Sequence, residues 1–156
     1  MRRLKHADEA SRLDSIVEQL PKRRPRPQWS AAKLLERSSE EVAVMRKTCE
    51  WTGAKGRHLV ALYAWLHNEI YGVGAEELGD RNALFAASNA AERMVRDAFG
   101  GDTKRAVQFI AWAWARERMR EKAGKVSSYR ITWRFMFASR SLLTDYRVEL
   151  VRGSTR

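Results

Sequence analysis

Leu13, Ile16, Val17 and Leu20 recur at i, i+3, i+4 and i+7, and this spacing predicts an amphipathic helix over about 7–20. Pro21 stops it, and Lys22-Arg23-Arg24-Pro25-Arg26-Pro27 follows. Three prolines within seven residues preclude helix and favour an extended, semi-rigid connector. Trp29 and the run Ala-Ala-Lys-Leu-Leu suggest that the chain then rejoins a core. Ser38 and Glu41 have capping-box spacing, so a helix is expected from there to about Trp51, ending at Gly53.

Leu59, Leu62, Tyr63, Leu66 and Ile70 mark one face of a further helix over 57–71, with Gly72 just past its end. Asp80 is a candidate N-cap for a helix over 81–99, whose many alanines suit close helix packing. Gly100-Gly101 closes that helix. Asp102 can cap the longest one, 103–123, with Gly124 as its stop. Ser127 or Ser128 opens an aromatic segment to about Phe137, and a last helix covers 141–150.

No window alternates with the period of an exposed strand for long. Tyr129 to Phe137, mixing β-branched and aromatic residues, is the nearest exception. The expectation is an all-α bundle of five to seven helices with a basic, Pro-containing N-terminal connector. It divides into residues 1–28, a basic helix and Pro/Arg linker, and 29–156, one helical domain. The helix over 103–123 is apolar on nearly every side between Ala106 and Ala115, which places it at the centre of the bundle. No repeat of 20–50 residues is present, which sets solenoids aside.

At 156 residues and 44% hydrophobic content the chain is long enough for one domain that folds without a staple. Cys49 is the only cysteine, which excludes an intrachain disulfide and a multi-cysteine zinc site, and it is expected as a small buried hydrophobe. No export signal is visible near the N-terminus. The longest uncharged run, His58 to Asn68, is too short to cross a bilayer, so a soluble, intracellular (cytoplasmic) protein without a membrane partner is expected.

Charge changes the picture most. The formal net charge is +11, from 30 Lys and Arg against 19 Asp and Glu. Residues 1–28 hold 8 basic and 4 acidic groups, 29–102 hold 9 and 11, and 103–156 hold 13 and 4. The excess therefore lies in the N-terminal arm and the last third, around a nearly neutral middle. Such a balance points to a polyanionic partner, nucleic acid before an anionic membrane.

Enzymatic motifs are missing. Gly53-Ala-Lys55-Gly56 lacks the spacing of a phosphate loop. His58 and His67 are nine residues apart, on opposite sides of one predicted helix, and so cannot share a metal; each, like His6, is expected at or near the surface. Glu40-Glu41 and Glu76-Glu77 fall at predicted helix starts, where acids complement the dipole. Asp145-Tyr146-Arg147 hints at a tyrosine nucleophile of the recombinase kind, but no cluster of Arg and His completes such a site, and Tyr146 reads as core. No enzyme, cofactor or metal is expected. A helix-turn-helix over 57–85 is disfavoured by its long turn and by a second helix poor in base-reading side chains.

What remains is a basic ridge. On a wheel of 103–123, Val107, Ile110 and Trp114 share the expected core face, while Arg105, Gln108, Phe109, Trp112, Arg116 and Arg120 collect opposite. Arg neutralises phosphates and aromatic rings can stack on bases, although Trp112 reads more simply as core than as platform. Arg118, Lys122 and Lys125 extend the ridge. Arg130 and Arg134 continue it at i, i+4 beside core aromatics Trp133 and Phe137. Lys22, Arg23, Arg24 and Arg26 form a second, independent contact.

The reading is a non-enzymatic nucleic-acid-binding protein (DNA or RNA) that grips the phosphate backbone with the C-terminal ridge and the N-terminal arm. The chain has the general look of small helical proteins of phages and other mobile elements, with no motif that identifies a family. The alternative is a structural or adaptor subunit of a larger assembly, such as a small helical subunit of a CRISPR-type effector or a phage packaging or virion component, with its aromatic and Met surplus facing protein subunits.

Overall fold

A computed structural model describes residues 29–124 and 130–154, together with the helical, exposed positions 12, 15, 16, 18 and 19. The expected boundary after residue 28 and the arm residues Lys22, Arg23, Arg24 and Arg26 lie outside the described residues, as does Lys125. Within them the chain is all-α, without a strand.

Helix α1 spans Ala31–Thr48, not the expected Ser38 to Trp51. Ser30 is the true N-cap, its hydroxyl accepting from the Lys33 N–H at 3.3 Å. The serines that suggested a start sit inside the helix. Ser39 Oγ donates to the Leu35 carbonyl one turn back (2.7 Å), and buried Ser38 accepts from the Arg57 guanidinium (3.2 Å). Cys49 ends the helix in the left-handed region at φ 53° and is exposed, contrary to the buried position expected of it.

Helix α2, Gly56–Tyr71, ends as expected at a left-handed Gly72. A short 3₁₀ turn, Glu76–Gly79, leads to α3, Arg81–Phe99, where Asp80 accepts from the Ala83 N–H at 3.1 Å and Gly100 closes the far end. Helix α4, Thr103–Lys122, is capped by Asp102 through the Arg105 N–H at 3.2 Å. The expected aromatic helix is reduced to α5, Trp133–Ala138, capped by Thr132. Helix α6 covers Arg140–Ser154.

The central helix is α2 rather than α4. It packs against α1, α3 and α4, and Leu59, Val60, Ala61 and Tyr63 are wholly enclosed. Its start lies so close to α3 that a Cβ on Gly56 would overlap the Ser88 carbonyl and come within 2.6 Å of the Glu92 side chain. Ala87 and Ala91, both fully buried, line α3.

Helix α4 is one-sided. Ala106, Phe109, Ile110, Ala113, Trp114 and Glu117 form its single buried stripe, while Ala111 and Ala115 are exposed. Small exposed alanines made the sequence look apolar all round, although no neighbour covers that side. Phe109 moves with this correction from the expected outer face to full burial.

Two aromatic clusters fill the core. Tyr63, His67, Tyr71, Trp114 and Phe137 meet at ring separations of 4.8–6.1 Å, and Phe99, Phe109, Trp112 and Tyr146 at 5.1–6.5 Å. Tyr146 is thus core, as expected. Trp114 Nε1 is the one buried side-chain polar atom without a partner among the described residues.

Candidate nucleic-acid interface

The segment bearing Arg130 and Arg134 is tied down by buried Tyr63, half-buried Tyr71 and a carboxylate. The Tyr71 hydroxyl accepts from the Ile131 N–H (3.0 Å) and donates to Glu117 (2.9 Å). The Tyr63 hydroxyl lies between Glu77 (2.8 Å) and the Ile131 carbonyl (2.7 Å), and Glu77 also accepts from the Trp133 N–H (3.0 Å). Burial, followed by the Glu77 contact, raises the Tyr63 pKa. Burial is also the main cause of a raised Tyr71 pKa, with Glu117 acting in the same direction. Both phenols therefore stay protonated as donors. Glu76 and Glu77 stand in the first turn of the 3₁₀ helix, as expected of acids at a helix start, and Glu77 in addition ties that turn to the segment before α5.

Around that junction the cations gather. Arg130 stands over the Tyr71 ring at 5.5 Å, Arg120 donates to Glu117 at 3.2 Å, and Arg134 lies over Trp133 at 5.1 Å. Trp133 and Phe137 are buried, as expected, and all three arginines are exposed. Arg118 and Lys122 are exposed one turn apart at the same end of α4 and make no ion pair among the described residues.

The structure divides the expected ridge. An advance of about 100° per residue puts Arg105, Trp112 and Arg116 on one flank of the buried stripe and Arg118 and Lys122 on the other. On the first flank, Arg116 pairs with Asp145 of α6 (3.5 Å) and lies over the Trp112 ring at 4.9 Å. Trp112 is half-buried, donates from Nε1 to Glu149 (2.9 Å), and packs against Tyr146 and Phe109. Its ring is committed to the protein, as the core reading of this residue requires. A surface cleft of about 680 Å³ beside it contains Asp145 and Glu149 with Arg116 and Arg152, a mixed lining unsuited to phosphate. Arg105 is exposed near the start of α4, eleven residues and about 16 Å along the helix from Arg116.

His58 and His67, expected as surface or half-buried polar residues, are both buried, and His6 lies outside the described residues. His58 Nδ1 accepts from the Lys55 N–H at 2.8 Å, so Nε2 carries the proton donated to Glu41. Glu41 also meets Arg57 at 2.7 Å and Arg37 at 3.5 Å. The His58 hydrogen bond, then Arg57, lower the Glu41 pKa to about 2. Glu41 is therefore a tie between α1 and α2, not an acid at a helix start. His67 Nδ1 bonds the Val73 carbonyl at 2.8 Å. No group of three potential metal ligands occurs among the described residues. No helix among them is long and apolar enough to cross a membrane.

Sequence reasoning missed one basic site. A cleft of about 610 Å³ between α3, α5 and α6 brings Arg93 together with Arg140 and Arg147. Arg140 and Arg147 stand seven apart, legible as one helix face, but nothing local links them to Arg93. Set against known protein families, characterised proteins and solved structures, the chain matches none.

Proposed function

We propose that this is a non-enzymatic nucleic-acid-binding protein that holds the phosphate backbone at the C-terminal end of α4. The observation that carries the reading is the grouping of Arg120 and Arg130 around Tyr71 and Glu117, with Arg134 over the adjoining Trp133. Arg118 and Lys122 stand on the other flank of the same end of α4, and among the described residues the one acidic contact is Glu117 to Arg120. Arg130 and Arg134 project from a segment locked by Tyr63, Tyr71 and Glu77, so little side-chain and backbone freedom is lost when they meet an anion. With Trp112 turned inward, contact through phosphates is favoured over base stacking, and such binding is blind to sequence and sensitive to salt.

Titration of labelled single- and double-stranded oligonucleotides at several salt concentrations tests this. Replacing Arg118, Arg120, Arg130 and Arg134 with Ala is expected to flatten log affinity against log salt by up to about 0.7 per lost contact on a single strand, or about 0.9 on a duplex. Unchanged affinity and slope would remove these residues from the interface.

A second reading, a subunit of a larger assembly, is favoured by exposed apolar side chains on α4 and α6: Met119 at 73% exposure, Leu150 at 51% and Val148 at 44%. Wild-type protein that ignores every oligonucleotide at low salt would select it.

A further inference from the structure

The cleft between α3, α5 and α6 is lined by three arginines and one acid. Arg93, Arg140 and Arg147 line it, all exposed, and none makes an ion pair among the described residues. The one acid among its lining residues, Asp97, is held by Arg96 at 2.9 Å, which lowers its pKa. Arg93, one turn earlier on α3, acts on it in the same direction, so that Arg140 and Arg147 are the lining arginines farthest from an acid. The other large cleft differs in kind, since its arginines face Asp145 and Glu149.

Three guanidinium groups around one concavity repel one another unless an anion lies between them, and the fork geometry of arginine suits the paired oxygens of a phosphate. The cleft is also connected to the surface already described. Arg134 and Ala138 stand one turn apart on α5, so Ala138, on the cleft wall, follows Arg134 along the same face. Arg140 comes two residues later. A backbone lying over Arg130 and Arg134 would meet Arg140 and then Arg93 and Arg147 if it continued in the same direction. A free anion the size of inorganic phosphate has no need of that continuity. An acidic polypeptide would need it too, but only a phosphodiester chain is called for by the surface it joins.

We infer that the Arg93–Arg140–Arg147 cleft is a second phosphate-binding segment that takes the same nucleic-acid strand as the α4 end, past α5. This rests on the nucleic-acid reading above.

The test is a triple variant, Arg93→Ala with Arg140→Ala and Arg147→Ala, beside the α4-end quadruple variant and wild type. Each is titrated with one labelled 20-nucleotide single strand across a salt series, and with poly-glutamate as an acidic polypeptide probe. The expected result is a salt slope shallower by up to about 2 for the triple variant, from about 0.7 per contact on a single strand. Placing Lys instead of Ala at the three positions is expected to keep most of the wild-type slope, because charge rather than shape carries it. The melting temperature of the Ala variant serves as the folding control. If it falls markedly, the Lys variant and its slope decide instead.

Loss of binding in the quadruple variant with wild-type affinity and slope in the triple variant overturns this inference and leaves the α4-end reading intact. Wild-type protein that binds no oligonucleotide overturns both. Tighter binding of poly-glutamate than of the oligonucleotide, lost in the triple variant, overturns the choice of strand and makes the cleft a site for an acidic protein segment.

Discussion

Arginine has opposite duties at the two ends of this bundle. In the corner between α1 and α2, Arg37 and Arg57 converge on Glu41 together with His58, Arg57 also reaches buried Ser38, and Arg46 lies 3.3 Å from the centroid of the Trp65 ring. There the cations are structural ties whose charge is spent inside the protein. At the C-terminal end of α4 and in the cleft beyond α5, exposed arginines outnumber the acids beside them, Glu117 on Arg120 and Asp97 near Arg93. Counting basic residues therefore says little about binding. What matters is whether an acid lies opposite, and packing decides that.

The comparison can be broken from its foundation upward. Trp114, at 1% exposure, supports the aromatic cluster beneath Tyr71 and so the platform of the C-terminal surface. Trp114→Ala is expected to cost about 3–5 kcal/mol, read by denaturant unfolding. A loss below about 1 kcal/mol would mean that this cluster does not hold the surface in place.

Gly56→Ala probes the α1–α2 side. With the Ser88 carbonyl in the way, α2 and α3 must move apart, and a destabilisation of about 1–3 kcal/mol is expected in the same unfolding measurement. A neutral outcome would show that the close approach is dispensable.

The Glu41 tie gives a pH signature. Its folded pKa of about 2 lies below the ordinary glutamate value of 4.5. The stabilisation is therefore fully present above pH 4.5 and is lost as the pH falls from there towards 2. Because the carboxylate is one-third exposed, its contribution is discounted to about 1–2 kcal/mol. Glu41→Gln is expected to be less stable than wild type at pH 7 by that amount, with the two converging near pH 2. Parallel acid-unfolding curves would show that the tie is not carried by charge.

The smallest stability effect is expected where the binding effect is largest. Removing Arg118, Arg130 and Arg134 together is expected to change stability by no more than a few tenths of a kcal/mol per site, since all three are exposed and none is paired with a buried acid, while flattening the salt dependence of binding. Arg120 differs because it is the cation on buried Glu117. A fall of several kcal/mol on thermal or denaturant unfolding would make these arginines ties like those of α1–α2, and the contrast between the two ends would disappear.

Helix class and many of the ends were legible in the chain itself. Asp80, Asp102, Gly72 and Gly100 stand where the residue pattern put them, because a cap is a hydrogen bond or a backbone angle settled within three or four residues. Cys49 was misjudged because it ends α1 in the left-handed region, whereas Ser38, Phe109, His58 and His67 were misjudged for one shared reason. Their surroundings come from residues far along the chain, as with Arg57 beside Ser38 or Tyr146 against Phe109. The exposed side of α4 was hidden in the same way, since alanine is compatible with either environment.

The candidate site divides along the same line. Arg130 and Arg134, or Arg140 and Arg147, are visible as pairs on one face, because helical spacing is local. That Arg120 and Arg130 flank one tyrosine, that Arg116 is neutralised by Asp145, and that Arg93 joins the α6 pair were decided only by tertiary packing. Sequence determines how much charge each segment carries and on which helical face. Only the folded chain determines which charges meet an acid, because ion pairing depends on contacts between helices that share no local signal.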